Sequence, residues 1–212
     1  MAMIAISPHL DDVVLGCAGL VASHPGTVVV TVAAGRPGPH ALTEWDRRCG
    51  FGEGDDVVGA RRREDEAALK LLGARPVWLD FLDGQYGPPP PHAELVAAIK
   101  RAMDGAKTVA SPLGLFHNDH LVTARACYDV ARQRNGVSWL VYEDAIYRAT
   151  TGQTEEALAA LKAGGLGLRD VHVPDSPTKR QAIERYASQV RGLAGLLDDA
   201  YRPERYWSLD FR

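Results

Sequence analysis

Apolar positions along this chain follow two periods, one of strands and one of helices. Ile4 to Ser7 is a short apolar run stopped by Pro8, which predicts a buried first strand. From Asp12 to Ser23, Val13, Val14, Cys17, Leu20 and Val21 recur at helical spacing. Thr27 to Val32 is rich in β-branched residues and predicts a central strand. Val57 to Leu72 carries a strong helical repeat and stops at Gly73, the residue type that most readily follows a helix C-terminus. Strands are predicted again at Pro76 to Phe81, Thr108 to Ser111 and Val137 to Tyr142, with helices at Ala93 to Met103, Leu121 to Arg134 and Glu155 to Lys162. Toward the end, Val171 to Val173 reads as a late strand and Thr178 to Leu197 as a helix broken near Gly192. Tyr206 to Phe211 reads as a final edge strand.

Strands alternating with helices imply a mostly parallel sheet covered on both faces. The expected architecture is therefore α/β: a Rossmann-like three-layer sandwich forming one domain over residues 1–212, with no internal repeat. Ligands of such folds gather at the carboxyl ends of the strands. Gly35 to Gly54 lacks periodicity and is expected to be a long rim loop, of the kind that often binds substrate. It carries His40, Trp45 and Phe51. The run Pro88 to Pro91 is a stiff connector rather than a domain boundary.

Composition narrows the function. A formal charge of -3, with Lys and Arg dispersed, argues against nucleic acid as the partner, which needs a concentrated basic face. Cys17, Cys49 and Cys127 are odd in number and lack CxxC spacing, so a reducing, cytoplasmic setting is expected. No basic leader precedes Ile4, and no apolar run reaches transmembrane length. Oligomeric state is not legible.

Two clusters carry the chemistry. Pro8-His9-Leu10-Asp11-Asp12 follows the first strand. At a strand-to-helix turn, His9 and Asp12 can converge on one cation, while Asp11, pointing elsewhere, can face a metal-bound water. The competing use of either aspartate is to cap the following helix. His117-Asn118-Asp119-His120 follows a later strand, and its two histidines at i and i+3 share one side of a helical turn. His120 can complete a His, Asp, His set with one open coordination position, as catalytic zinc requires. His117 can then reach the substrate oxygen. Capping by Asn118 or Asp119 is the alternative there. Two such clusters at two strand ends point to one metal site. His24, His92 and His172 read as structural or surface residues.

Together these motifs resemble the PIG-L/LmbE-like deacetylase family. Pro8, His9, Asp11 and Asp12 match its Pro-His-x-Asp-Asp, with Leu10 where proline is common. His117, Asp119 and His120 match its His-Pro-Asp-His, with Asn118 in place of proline. Weaker similarity includes the helix from Arg61 to Gly73, the turn Asp83-Gly84, Tyr142-Glu143-Asp144, and Lys179 to Gln189 with Tyr186 where histidine is frequent. The resemblance spans Met3 to Gln189. It implies that His9, Asp12 and His120 bind one divalent metal, usually zinc, with ferrous iron as another fit to two imidazoles and a carboxylate. It further implies that Asp11 is the general base, that His117 stabilises the oxyanion or assists the leaving group, and that Asp119 orients His117. Arg61 and Asp83 are implied as substrate contacts. The implied reaction is hydrolysis of the acetamide of an N-acetylglucosamine-type sugar or its glycoside.

Rival readings are an amidase acting on a thiol conjugate or a longer acyl chain, a catalytically silent sugar-binding module, and an Fe(II) oxygenase using the same triad.

Overall fold

The computed structural model describes residues 3–39 and 41–211; His40 lies outside the described residues. The sheet forms from the runs that the pattern marked. β1 (Ile4–Ser7), β2 (Val28–Thr31) and β4 (Thr108–Pro112) are almost wholly buried, as strands covered on both faces must be. With β3 (Arg75–Trp78), β5 (Ser138–Tyr142), β6 (Leu166–Val171) and β7 (Tyr206–Phe211) they make a seven-stranded sheet in the order β3-β2-β1-β4-β5-β7-β6. β3, β2, β1, β4 and β5 pair in parallel, Ile4 lying opposite both Val28 and Val109. β7 runs antiparallel to β5 and β6, so the sheet is mixed.

Side-chain alternation on β1 divides the core. Ala5 joins one face with Val13, Leu20, Leu69, Ile183 and Tyr186; Ile4 and Ile6 join the other with Leu95, Ile99, Cys127 and Trp139. The first face is covered by α1 (Asp12–Gly16), α2 (Ala18–Ala22), α4 (Val57–Leu71), α8 (Lys179–Ile183) and α9 (Ala187–Leu193). The second is covered by α5 (His92–Ala102), α6 (Asn118–Gln133) and part of α7 (Gln153–Ala163). β1 feeds β2 on one side and pairs with β4 on the other, so the topological switch lies between β1 and β4. His9 follows β1 and His117 follows β4. Both motifs therefore open into the same crevice.

Four features differ from the sequence expectation. The helix expected over Asp12 to Ser23 breaks at Cys17 (φ -141), where the Glu204 carboxylate accepts from the backbone N–H groups of Ala18 and Gly19 and starts α2 anew. The rim segment Gly35 to Gly54 contains α3 (Glu44–Arg48), nucleated by a capping box between Thr43 and Asp46. β6 begins at Leu166 rather than Val171 and takes the edge, leaving β7 inside the sheet with Tyr206, Trp207 and Leu209 buried. The late helix is interrupted twice, after Ile183 and again at Ala194 (φ 41), before α10 (Leu197–Ala200).

Candidate active site

At the β1–α1 turn the Asp12 carboxylate folds back: Oδ2 accepts from the His9 backbone N–H at 2.7 Å. The same oxygen lies 3.1 Å from His9 Nδ1 and 3.1 Å from His120 Nε2. His9, Asp12 and His120 are thus brought together across the β1–β4 crevice. Each imidazole is held from behind by its own carboxylate. Asp119 Oδ2 lies 2.9 Å from His9 Nε2, and Asp144 grips His120 Nδ1. Asp119 Oδ2 also accepts from Gly84 N–H at 2.8 Å, and a Cβ at Gly84 would meet Asp119 Oδ1 at 2.9 Å. Only glycine permits that approach, which accounts for the Asp83-Gly84 turn.

These outer bonds favour one tautomer of each neutral ring. A neutral His9 keeps its hydrogen on Nε2, toward Asp119, and a neutral His120 keeps its hydrogen on Nδ1, toward Asp144. Both free lone pairs then face Asp12 Oδ2. In those tautomers three lone pairs converge on one point, where a proton or a metal cation can sit. His120 Nε2 is buried and finds no well-angled hydrogen-bond partner among the described residues. Protons respond in the same sense. Burial lowers the pKa of His120, yet the Asp12 and Asp144 carboxylates overcome it and raise the value to about 9. Burial likewise opposes charging of His9, but hydrogen bonds to Asp119 and Asp12 lift it well above its ordinary value. For Asp12, burial works upward and the His120 charge wins, holding its carboxyl well below the usual range. The cluster stabilises added positive charge, and the donor set fits a divalent ion of the zinc or ferrous type.

A second grouping, His9, His117 and Asp119, also lies close enough to share an ion. There His117 Nδ1 is already engaged by the Asp119 backbone N–H at 3.2 Å, and Asp119 Oδ2 by the Gly84 N–H at 2.8 Å. The first grouping fits better.

Asp11 occupies the N-cap position of α1 without capping it, so the capping alternative fails at this residue. Burial, then the neighbouring Asp12 charge, pushes its carboxyl up to about 7. His117 is the N-cap of α6, and its Nδ1 accepts the Asp119 N–H. Its neutral ring therefore presents Nε2–H outward. Burial and the His9 charge lower its pKa and keep it in that neutral donor form. Asp119, expected to orient His117 by hydrogen bonding, meets it through its backbone N–H, while its carboxylate holds His9. Its carboxylate lies 3.9 Å from His117 Nδ1, because the helix turn spends its backbone N–H, not its side chain, on that ring.

Arg61, on α4, and Asp83 line the cleft beside His9 together with Tyr86 and Gln189. Arg61 is buried, its guanidinium 2.9 Å from Asp46 on α3, and Asp46 accepts from Tyr86 O–H at 2.9 Å. The rim segment is thereby pinned to the cleft. Trp45 packs on the first core face and Phe51 sits under the Arg61 guanidinium, so both act as anchors. The sequence resemblance included Asp144 but gave it no role; the structure sets it behind His120. Its signal was an acidic pair, Glu143-Asp144, placed directly after a buried strand at the ligand-binding end of the sheet.

The fold and this site define a class. The chain belongs to the PIG-L: GlcNAc-PI de-N-acetylase family, whose model matches residues 4–131, more than half of the chain. Among solved structures it is similar to the A40926 pseudoaglycone deacetylase, at 28% identity and TM-score 0.78, covering 99% of this chain and 97% of that one. A zinc-inhibited form of teicoplanin deacetylase superposes with TM-score 0.83 at 24% identity, covering 99% and 98%. The N,N'-diacetylchitobiose deacetylase of Pyrococcus horikoshii shares the fold at 19% identity and TM-score 0.56, covering 88% and 70%. No curated protein matches the chain. Among the described residues, no helix is long and apolar enough to cross a membrane.

Proposed function

We propose that this chain, acting as one catalytic domain over residues 1–212, is a metal-dependent N-deacetylase of an amino sugar of the N-acetylglucosamine type or its glycoside. The observation that carries the reading is the meeting of His9 Nδ1, Asp12 Oδ2 and His120 Nε2, with Asp11 adjacent in sequence, buried and free of a capping duty. Membership of an amide-cleaving family and the deacetylase activity named for two similar structures support it.

His9, Asp12 and His120 would hold the divalent ion, which when bound would supply Lewis acidity toward a carbonyl oxygen and acidify water. Asp11, buried and free of a capping duty, takes a proton from the attacking water and returns it to the departing amine. His117 Nε2–H donates to the carbonyl oxygen as negative charge develops there, a donor fixed in advance by the α6 cap. Asp119 and Asp144 keep the two imidazoles turned inward. Arg61 and Asp83 meet the sugar hydroxyls. Breaking the amide C–N bond yields a carboxylate and a free amine.

The test is amine release from N-acetylated sugars, their glycosides and nucleotides, with Zn2+, Fe2+ and other divalent ions supplied separately. Ion identity needs this scan because zinc inhibits one of the similar proteins. Asp11→Ala is expected to retain the metal while turnover falls roughly 100-fold or more. Near-wild-type turnover in the metal-loaded variant removes Asp11 from its role.

A further inference from the structure

The rim segment carries one carboxylate that its own helix does not explain. Within α3, Glu44, Arg47 and Arg48 are exposed, while the Asp46 side chain is 0% exposed. Capping α3 needs only that Asp46 Oδ2 accept from Thr43 N–H at 3.0 Å, a bond an aspartate makes equally well at the surface. Burying the charge costs free energy unless further partners meet it. Here they do. Both Asp46 oxygens accept from the Tyr86 hydroxyl at 2.9 Å, and the Arg61 guanidinium lies 2.9 Å from Oδ1.

Those partners lead back to the metal ligands. Tyr86 closes the turn that begins at Asp83, its N–H donating to Asp83 O at 2.8 Å. Gln85, on the same turn, accepts from the Thr43 hydroxyl at 2.5 Å, a second tether to the rim. Gly84 adjoins both tethers, and its N–H donates to Asp119 Oδ2 at 2.8 Å. The same oxygen holds His9 Nε2 at 2.9 Å, with His117 Nδ1 as the competing partner 3.9 Å away. A carboxylate between two imidazoles settles on the one its other bonds aim it at. With Gly84 N–H in place that ring is His9, and His117 keeps its Nε2 hydrogen outward. If the turn backed away, the carboxylate could reach His117 Nδ1 and draw the hydrogen of that ring inward. One slip would disturb the tautomers of both histidines.

We propose that Asp46 and Tyr86 are positioning residues for His9: the rim helix, working through the turn at Gly84, selects which histidine the Asp119 carboxylate serves. The relay runs from Asp46 to the Tyr86 hydroxyl, along two residues of backbone to Gly84 N–H, and through Asp119 Oδ2 to His9 Nε2. A segment bordering the substrate cleft is thereby connected to the ion site. The relay rests on His9 being a metal ligand, as read above.

Gln85→Met with Tyr86→Phe removes both tethers at nearly constant volume and leaves the Asp46–Arg61 pair and the α3 cap in place. Two measurements on the full chain follow the relay. In the metal-free protein, amide hydrogen exchange at Gly84 is expected to quicken about tenfold or more in the double variant, with the amides of β1 and β4 at wild-type rates. Zinc affinity, read by competition with a chelator, should fall about 5- to 10-fold, part of the 10- to 100-fold expected when the outer carboxylate itself is lost in Asp119→Ala. Added to Asp119→Ala, the two tether substitutions should leave zinc affinity within about twofold, because the relay then has no end to act on. A rim that merely supports the fold would lower affinity equally in both backgrounds. Unchanged Gly84 exchange, unchanged zinc affinity in the double variant, or equal losses in the two backgrounds overturns the relay. If the wild type binds no zinc, yet cutting the tethers frees Gly84 and shifts the His9 ring resonances only while Asp119 is present, the relay stands and the metal reading falls instead.

Discussion

Two buried aspartates in this molecule are treated in opposite ways. Asp12 faces two imidazoles, and the charge and hydrogen bonds of His120 and His9 hold its carboxyl well below the usual range despite burial. Asp65, on α4, accepts from Trp78 Nε1–H at 2.7 Å and Tyr186 O–H at 2.8 Å, and burial pushes its carboxyl up to about 7. Each Asp65 oxygen has a donor, but both donors are neutral, and neutral dipoles only partly offset the loss of water around a charge. Around Asp12 the partners are ionisable, and one of them, His120 Nε2, finds no well-angled hydrogen-bond partner among the described residues. Full hydrogen bonding with an elevated pKa marks a structural carboxylate. Charge-seeking geometry with an open nitrogen marks a ligand.

The largest break in this contrast should come from His120→Ala. Removing one of three donors is expected to abolish stoichiometric metal, measured by elemental analysis of the purified protein. Amine release should fall about 1,000-fold or more, the several kcal/mol a Lewis acid supplies at 1.36 kcal/mol per decade. Asp65→Ala, by contrast, should keep its metal. Metal retained at one equivalent in His120→Ala dissolves the distinction between the two sites.

A smaller effect is expected one bond further out. Asp144→Asn leaves all three donors in place but weakens the hold on His120 Nδ1 and lets the ring take either tautomer. Metal affinity should drop about 10- to 100-fold, read by competition with a chelator, while the far-UV spectrum is unchanged. An unaltered affinity would mean that the buried pair between Asp144 and His120 serves packing alone.

Much of the site was legible because its residues are local in sequence. His9, Asp11 and Asp12 occupy one turn, and His117 to His120 follow another strand, both strands being already marked in the sequence at Ile4 to Ser7 and Thr108 to Ser111. What lay across the sheet was not legible. Nothing near Asp144 in sequence says that it ends behind His120, and nothing near Asp119 says that its carboxylate passes over His117 to reach His9. Those choices follow from the spacing of β1, β4 and β5. The same limit applied to the fold. The parallel strands β1, β2 and β4, buried on both faces, were plain apolar runs. Leu166–Val171 includes glycine, arginine and aspartate and lies at an edge, so it lacked a pattern. Tyr206-Trp207 did carry a signal: adjacent large apolar residues point to opposite faces, which predicts an inner strand rather than an edge. α3 was hidden because its Thr43–Asp46 capping box precedes only five helical residues, too few to show a period.

The structural side of the contrast is sharpened by Asp65→Asn, expected to change activity least and pH-dependent stability most. The folded-state pKa of Asp65 is about 7, above its ordinary 3.8. Between those values the native protein binds a proton that the unfolded chain has released. Stability therefore falls as pH rises from about 4 to 7, and levels off above. Asparagine cannot ionise. Its carbonyl can accept from Trp78 and its amide can donate to the Tyr186 oxygen, so the variant should lose this slope while keeping both contacts. Urea denaturation of the wild type and variant across pH 4.5 to 8 measures the difference directly. The variant's relative stability should grow up to about pH 7 and stay constant above it, with metal content untouched throughout. Parallel curves for the two proteins would show that Asp65 is charged in the fold despite its neutral partners, and that hydrogen bonds from Trp78 and Tyr186 alone can hold a buried carboxylate as firmly as His9 and His120 hold Asp12.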